Sequence, residues 1–152
     1  MGAYLALSSP STRKPAPNIA YTLLDGSQST TDGLRGKVVL VNFWATDCAP
    51  CVNDMPQFVA THERFKARGL ETLAVAMSYD PPMQVIRFAE SRKLPFGVVI
   101  DNTGSFAKGF DQVQVTPTTV LINRRGEIVG RFVGEPDFAA LNALVEKLLV
   151  ES

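Results

Sequence analysis

The sequence predicts a single α/β domain built on a central mixed β-sheet with helices on both faces. Three observations lead to this prediction. Strand-like apolar runs alternate with stretches of helical periodicity, 152 residues are enough for one sizeable core, and a hairpin signal near the end requires an antiparallel edge. The elements follow the order β-α-β-α-β-(α)-β-β-α, with no repeat or internal linker, which is typical of one domain.

The N-terminal region carries the weakest structural signals. Residues 1–16 are rich in Ser and Pro, and their apolar stretch AYLAL is too short for the core of a signal peptide. They predict a flexible N-terminal tail, followed by the folded domain over residues 17–152. The domain begins with IAYTLLDGSQSTT, where a Gly26 turn between two short strands predicts a hairpin.

The middle of the chain predicts a buried strand followed by a helix. The run VVLVNFW is β-branched and aromatic, which suits a central strand buried on both faces. Beyond the cysteines, VNDMPQFVATHERFKARG has apolar residues at helical spacing and a stop at Gly69. Pro56 falls inside this helix, and His62 is expected to be one of its solvated residues.

The remaining elements alternate in the same way. LETLAVAMSYD predicts a strand that ends before two prolines, MQVIRFAESRKL a helix, FGVVIDN a third core strand and TGSFAKGF one or two helical turns. TTVLINRRGEIVGRFVG predicts two strands joined at Gly126, and DFAALNALVEKLLV a last amphipathic helix.

The charge balance argues against several classes of partner. Lys plus Arg and Asp plus Glu number 15 each, so no net field attracts nucleic acid or an anionic membrane. No apolar run approaches the roughly 20 residues that a transmembrane helix needs. We expect no nucleic-acid partner, no cofactor and no resident metal.

Cys48 and Cys51 are the only cysteines, and their spacing admits several kinds of site. A structural bridge over so short a loop would contribute roughly 2 kcal/mol before strain. Zinc would need two more ligands, although the chain has no third cysteine and a single histidine. A c-type haem attachment would need a histidine at the position of Val52.

A redox-active disulfide accounts for more of the local pattern. The pair lies where a buried strand ends and a helix begins, and unpaired N–H groups at a helix N-terminus stabilise a thiolate. Cys48, at the more exposed end, would attack a substrate, and Cys51, one turn inside, would resolve the mixed disulfide. Pro50 fits the first helical turn.

The stretch NFWATDCAPC resembles the W-x-x-x-C-x-P-C signature of the thioredoxin fold. More narrowly, the chain is similar to the extracytoplasmic reductases of the TlpA/ResA/CcmG (DsbE)-like group over about residues 15 to 150. LRGKVVLVNFWAT, the central insert that begins DPPMQVIRFAESRKLPF, and VTPTTVLINRRGEIVGRFVG carry this resemblance. It implies a thioredoxin-like three-layer fold with an N-terminal β-hairpin and a central insert, and thiol–disulfide oxidoreductase activity.

The resemblance also implies substrate-binding positions. Pro117, in VTPTT, falls at the fold's cis-proline, which would lie beside the cysteines and hold a substrate chain by backbone contacts. A cis X–Pro bond costs only about 0.5–1 kcal/mol, and an ordinary trans turn proline is the alternative. Thr116 would face the sulfurs. Trp44 is grouped with these residues, although packing beneath the active-site loop is its main expected role.

An acid three positions after the second cysteine is a further feature of this group, and Asp54 holds that place. Its carboxylate shares a helix face with Cys51 and could accept the proton of the resolving thiol; otherwise it only complements the helix dipole. The residue before the first cysteine is usually Trp but here is Asp47, which would oppose the thiolate or cap the helix. Asn42 and Met77 replace the buried Asp and the Lys of thioredoxin itself.

These features predict a reductase of protein disulfides, as in cytochrome c maturation, that acts as a monomer and is recharged by a membrane thiol-transfer electron donor. A peroxiredoxin-like peroxidase is one alternative, although Ala45 and Val41 occupy positions of the missing P-x-x-x-T-x-x-C motif. A non-enzymatic Cu(I)-handling module is another. The expected location is periplasmic or extracytoplasmic with the export segment removed; a cytoplasmic location is the alternative.

Overall fold

The apolar run VVLVNFW forms the central strand of the sheet, and all seven of its residues are buried. The computed structural model describes residues 4–10 and 12–151. Its strands are β1 (Tyr4–Leu7), β2 (Ala20–Thr22), β3 (Gln28–Thr30), β4 (Val38–Trp44), β5 (Leu70–Ala76), β6 (Gly97–Ile100), β7 (Thr118–Ile122) and β8 (Ile128–Val133). Its helices are α1 (Ala49–Phe65), α2 (Pro82–Ser91), α3 (Ser105–Gly109) and α4 (Phe138–Val150).

A six-stranded mixed sheet with the order β1-β8-β7-β4-β5-β6 forms the middle layer, and β2 and β3 form a separate hairpin. β4 runs parallel to β5 and antiparallel to β7. Its side chains alternate between two cores. Leu40 and Trp44 pack with residues of α1, α2 and α4, whereas Val41 and Phe43 pack with residues of the hairpin and α3. The predicted α/β sandwich with helices on both faces is confirmed.

The N-terminal residues depart from the sequence-based expectation. Tyr4–Leu7 form an antiparallel edge strand against β8, Leu5 packs on the core, and Pro15 makes a bridge with Glu127. The expectation of a flexible tail is therefore wrong for these residues, because a short apolar segment gains backbone hydrogen bonds by pairing with the otherwise free edge of β8. Residues 1–3 and 11 lie outside the described residues.

Helix α1 begins immediately after Cys48 and continues through Pro56 to Phe65. A single turn of 3-10 helix follows, and Gly69 ends it with a left-handed backbone (φ 114°), a conformation that suits glycine. Within residues 4–10 and 12–151, no helix combines the length and apolar character needed to cross a membrane.

The guanidinium of Arg124 joins three chain segments at the end of the sheet away from the cysteines. It donates to the carbonyl oxygens of Gly36 (2.7 Å), Arg68 (3.1 Å) and Leu149 (3.0 Å). These carbonyls belong to the segments that precede β4, precede β5 and end α4. One side chain therefore fixes the ends of elements that are far apart in sequence.

Replacing Arg124 with Ala should lower the free energy of unfolding by about 2 kcal/mol, because three carbonyl groups lose a charged donor. Urea denaturation of the wild type, Arg124→Ala and Arg87→Ala would measure this. Arg87 is exposed on α2 and serves as the control, with an expected change within about 0.5 kcal/mol. Equal effects of the two substitutions would contradict this role.

His62 lies in the core rather than in solvent, so the expectation of a solvated helix residue is wrong. It is 6% exposed, its Nδ1 lies 3.0 Å from the Thr72 hydroxyl, and its ring meets that of Phe96 edge-on at 5.4 Å. Burial lowers the pKa of His62, and the nearby Glu63 and Glu71 offset part of this effect.

Because the pKa of His62 is lower in the folded state than in the unfolded chain, the unfolded chain binds the proton more readily. Stability contributed by the neutral ring is therefore complete above the unfolded pKa of about 6.5 and is lost as pH falls through the folded pKa. Melting temperatures between neutral and mildly acidic pH should show this loss in the wild type and a weaker one in His62→Gln. Identical pH profiles would contradict the prediction.

Candidate active site

The two cysteines lie where β4 passes into α1. Cys48 is the N-cap residue of α1, with an extended backbone (φ −94°, ψ 103°), and its Sγ accepts a hydrogen bond from the Cys51 N–H at 3.3 Å. The two sulfurs form a disulfide, with their Cα atoms 5.2 Å apart. Cys48 is half-buried and Cys51 is 1% exposed. An incoming group can therefore reach the first sulfur and not the second.

The loop before the cysteines is held by Asp80, a residue that sequence reasoning treated only as the end of a strand. Asp80 is 3% exposed, and its carboxylate accepts hydrogen bonds from the Thr46 N–H (2.7 Å) and hydroxyl (2.6 Å). Gln84 lies 3.0 Å from the same hydroxyl. The first turn of the segment after β5 therefore fixes the loop that presents Cys48.

Pro117 lies at the same end of the sheet as the cysteines, because β7 begins opposite the last residues of β4, with Thr118 paired to Phe43. The Thr116–Pro117 peptide bond is cis, as the resemblance implied. The Gly134 N–H donates to the Pro117 carbonyl at 2.9 Å. Pro117 is buried and Thr116 is half-buried, so this loop presents Thr116 towards the surface.

Trp44 does not reach the surface in this structure. Its side chain is 0% exposed and packs against Phe88 with ring centroids 5.1 Å apart. A fully buried ring cannot contact a substrate, so the grouping of Trp44 with the substrate-binding residues is corrected. Trp44 lies at the end of β4, where its large apolar surface packs beneath the loop that leads to Cys48 and stabilises it.

Asp54 is buried one helical turn beyond Cys51. Its side chain faces inward, with the residue 6% exposed, and its Oδ2 has no hydrogen-bond partner among the described residues. Burial raises the pKa of Asp54, and the negative charge of Glu135 raises it further. Burial and a raised pKa are the properties that a proton acceptor for the Cys51 thiol requires.

Sequence reasoning did not identify Glu135 as a site residue. It is exposed and follows Gly134, whose N–H binds the cis-proline loop. The two acids are far apart in sequence, and no local pattern links them. Only the return of the chain from β8 to α4 brings Glu135 close to Asp54.

Two departures from the resembled group have clear structural outcomes. Asp47 is exposed and does not cap α1, because the Cys48 sulfur takes the cap position; the interpretation of Asp47 as the N-cap is therefore wrong. Asn42 is 1% exposed and lies opposite Thr119 across β4 and β7. Among the described residues, the Oδ1 of Asn42 and the Oγ1 of Thr119 have no hydrogen-bond partner.

A groove with a volume of about 790 Å³ lies between the β2–β3 hairpin and the segment from β6 to α3, and Tyr21, Val99 and Phe106 form part of its lining. These three residues belong to the core on the sheet face opposite α1. None of the predicted site residues lines the groove, so the cysteine chemistry is separate from it.

Comparisons with known proteins agree with this geometry. The sequence matches the family described as Redoxin over residues 12–145. It is 33% identical over 135 residues to the thiol-disulfide oxidoreductase ResA of Bacillus cereus, covering 89% of this chain and 77% of the relative. It is 37% identical over 113 residues to the ResA of Geobacillus kaustophilus, covering 74% of this chain and 64% of the relative.

Solved structures with the same fold include the following two. One is described as a thioredoxin from Neisseria meningitidis, with a TM-score of 0.84, 36% identity and coverage of 90% of this chain and 91% of the other. Another is described as the thiol:disulfide interchange protein DsbE from Chlorobium tepidum, with a TM-score of 0.83, 26% identity and coverage of 95% and 99%. The thioredoxin-like fold is confirmed.

Proposed function

We propose, from the premise that this chain belongs to the Redoxin family, that it reduces disulfides of protein substrates through a Cys48–Cys51 dithiol–disulfide cycle. The chain is a thiol–disulfide oxidoreductase, like the ResA and DsbE proteins that it resembles. The asymmetry of the two sulfurs is the observation that carries the proposal. One sulfur is half-buried at a helix N-terminus, and the other is fully enclosed behind it.

The first step is attack by the Cys48 thiolate on one sulfur of a substrate disulfide. The new bond joins Cys48 to that sulfur, and the second substrate sulfur leaves as a thiolate that takes a proton. The Cys51 N–H already points at the Cys48 sulfur (3.3 Å), and the N-terminus of α1 favours negative charge there. Both features stabilise the reactive thiolate.

The second step is attack by Cys51 on the Cys48 sulfur, which releases the first substrate sulfur as a thiol and restores the protein disulfide. Two electrons have then passed from the dithiol to the substrate. Cys51 must lose its proton to attack, and Asp54 is the proposed acceptor because it is buried one turn further along the same helix face. Its raised pKa makes it a stronger base than an ordinary aspartate.

Thr116 and Pro117 are the proposed substrate-holding residues. Their loop lies at the cysteine end of the sheet, and Thr116 is half-buried there. An extended substrate segment could bond to the backbone of this loop as a short added strand. This would place the substrate sulfur opposite Cys48.

We further propose that the protein acts outside the cytoplasm as a monomer and receives electrons from a membrane thiol-transfer protein. The similarity to the ResA and DsbE proteins supports this setting. Protein thiols and disulfides are its partners; the individual substrate and the donor are to be found by trapping.

Two measurements test the proposed reductase. The Cys48–Cys51 couple should have a reduction potential below about −180 mV, on the reducing side of protein disulfide isomerase. In the native cell, Cys51→Ala should accumulate mixed disulfides through Cys48, which identify substrate, donor and compartment together. A potential above that limit would contradict a reductase, and rapid hydrogen peroxide consumption would favour a peroxidase instead.

A further inference from the structure

The cysteine end of the sheet carries exposed apolar side chains. Among the described residues, six large hydrophobic side chains are exposed, and three of them lie at this end: Tyr79 (58%), Met83 (57%) and Val115 (49%). The other three, Leu7, Leu24 and Val150, lie on β1, after β2 and at the far end of α4. Exposed aromatic residues and methionines are enriched at interaction surfaces.

These three residues flank the cysteine loop on both sides. The segment after β5 carries Tyr79 and Met83 on either side of Asp80, whose carboxylate holds the loop. Val115 lies in the segment that leads into the cis-proline and β7. Because β5 and β7 are the two neighbours of β4, the apolar side chains lie on opposite sides of Cys48.

Four segments that reach the cysteine end of the sheet carry acidic residues but no basic ones. These segments, residues 38–63, 69–86, 109–123 and 132–146, contain no Lys or Arg. The charged side chains that these segments contribute near Cys48 are therefore carboxylates.

Structural hydrogen bonds account for only some of these acidic side chains. Asp80 holds Thr46, and Asp137 caps α4 by accepting from the Ala140 N–H. Asp47 and Glu135, in contrast, are exposed, and neither takes part in the ion pairs of the described residues. We define Tyr79, Met83, Val115, Asp47 and Glu135 as the docking rim.

We propose that the docking rim binds a substrate segment in which the cysteine is flanked by apolar residues and by Lys or Arg. Apolar residues on both sides of Cys48 require apolar residues on both sides of the substrate cysteine, a pattern that unfolded chains expose and folded surfaces seldom do. The exposed carboxylates of Asp47 and Glu135 select positive charge on the same segment. The inference rests on the proposed function, because the segment must deliver its sulfur to Cys48.

The test uses single-cysteine peptides whose sulfur carries a thionitrobenzoate group, which is released when reduced protein attacks. One peptide has Leu and Lys around the cysteine and a second has Ser and Glu. The first should react at least about tenfold faster at low salt, and added salt should reduce the difference. A small uncharged disulfide, 2,2′-dithiodipyridine, reports the chemistry of Cys48 in every variant, and each peptide rate is divided by that rate.

Variants then separate the two parts of the docking rim. Tyr79→Ser/Met83→Ser should reduce the normalised preference several-fold, and Glu135→Gln should reduce its dependence on salt. The matched control, Leu24→Ser/Val150→Ser, removes exposed apolar groups elsewhere and should keep the wild-type preference. Equal rates for the two peptides, or an unchanged preference in the rim variants, would overturn the inference. Failure of wild-type Cys48 to react with 2,2′-dithiodipyridine would instead overturn the proposed function.

Discussion

Replacing Cys48 with Ser should abolish the reduction of protein disulfides, with a loss of at least about 1,000-fold, because a hydroxyl group can neither form the mixed disulfide nor supply a thiolate. Cys51→Ala should behave differently. Its accessible sulfur still attacks, but the enclosed resolving sulfur is missing, so one substrate equivalent should remain attached to Cys48. Insulin reduction would measure turnover, and intact-protein mass spectrometry would measure the trapped adduct.

The two variants control for each other, because each removes the same disulfide from the same folded chain. If the roles of the sulfurs were reversed, Cys48→Ser would trap substrate and Cys51→Ala would not. Trapping by both variants to the same extent would show that the burial of Cys51 does not restrict access. Either outcome would contradict the assignment that the exposures of the two cysteines indicate.

The sequence predicts the parts of this site that depend on local patterns. The β-branched run before the cysteines is one of these, since its composition and short length favour a buried strand. The step from that strand into a helix at Cys48 is another, because an apolar stripe with helical spacing follows. The cysteine pair and the element order of the sheet were therefore predictable, and the resemblance added the cis-proline position.

The parts that were missed depend on contacts between distant segments. Asp80 and Thr46 are 34 residues apart. Their hydrogen bonds form only because β5 lies beside β4 in the sheet. The charged residues around His62 predict an exposed position on the helix, yet the orientation of α1 buries this side chain beside Thr72. The cap of α1 depended on the backbone angles of one residue, and these place a sulfur, not the Asp47 carboxylate, at the N-cap.

Asp54→Asn should slow the resolving step and, at neutral pH, raise the free energy of unfolding. The amide cannot accept the proton of Cys51, so the rate of the resolving step should fall about 100-fold, the usual scale of general base catalysis. In the wild type this rate should decline as pH falls through the raised pKa of Asp54, and in the variant that acidic limb should be missing. Asp111→Asn, at an exposed position, is the matched control.

The raised pKa of Asp54 also predicts the change in stability: the substitution that slows the reaction should stabilise the fold. Because the folded-state pKa of Asp54 is raised, the folded protein binds the proton more readily than the unfolded chain, so its stability falls as pH rises through this window. Once ionised, the Asp54 carboxylate is a buried charge with an unpartnered oxygen, and removing it should add about 1 kcal/mol to the free energy of unfolding. Melting curves of oxidised wild type and Asp54→Asn should therefore differ at pH 7 and converge below the unfolded pKa of about 3.9. If Asp54→Asn slowed the resolving step but lowered the free energy of unfolding, the carboxylate would have a structural role. That result would contradict its assignment as a proton acceptor that destabilises the fold.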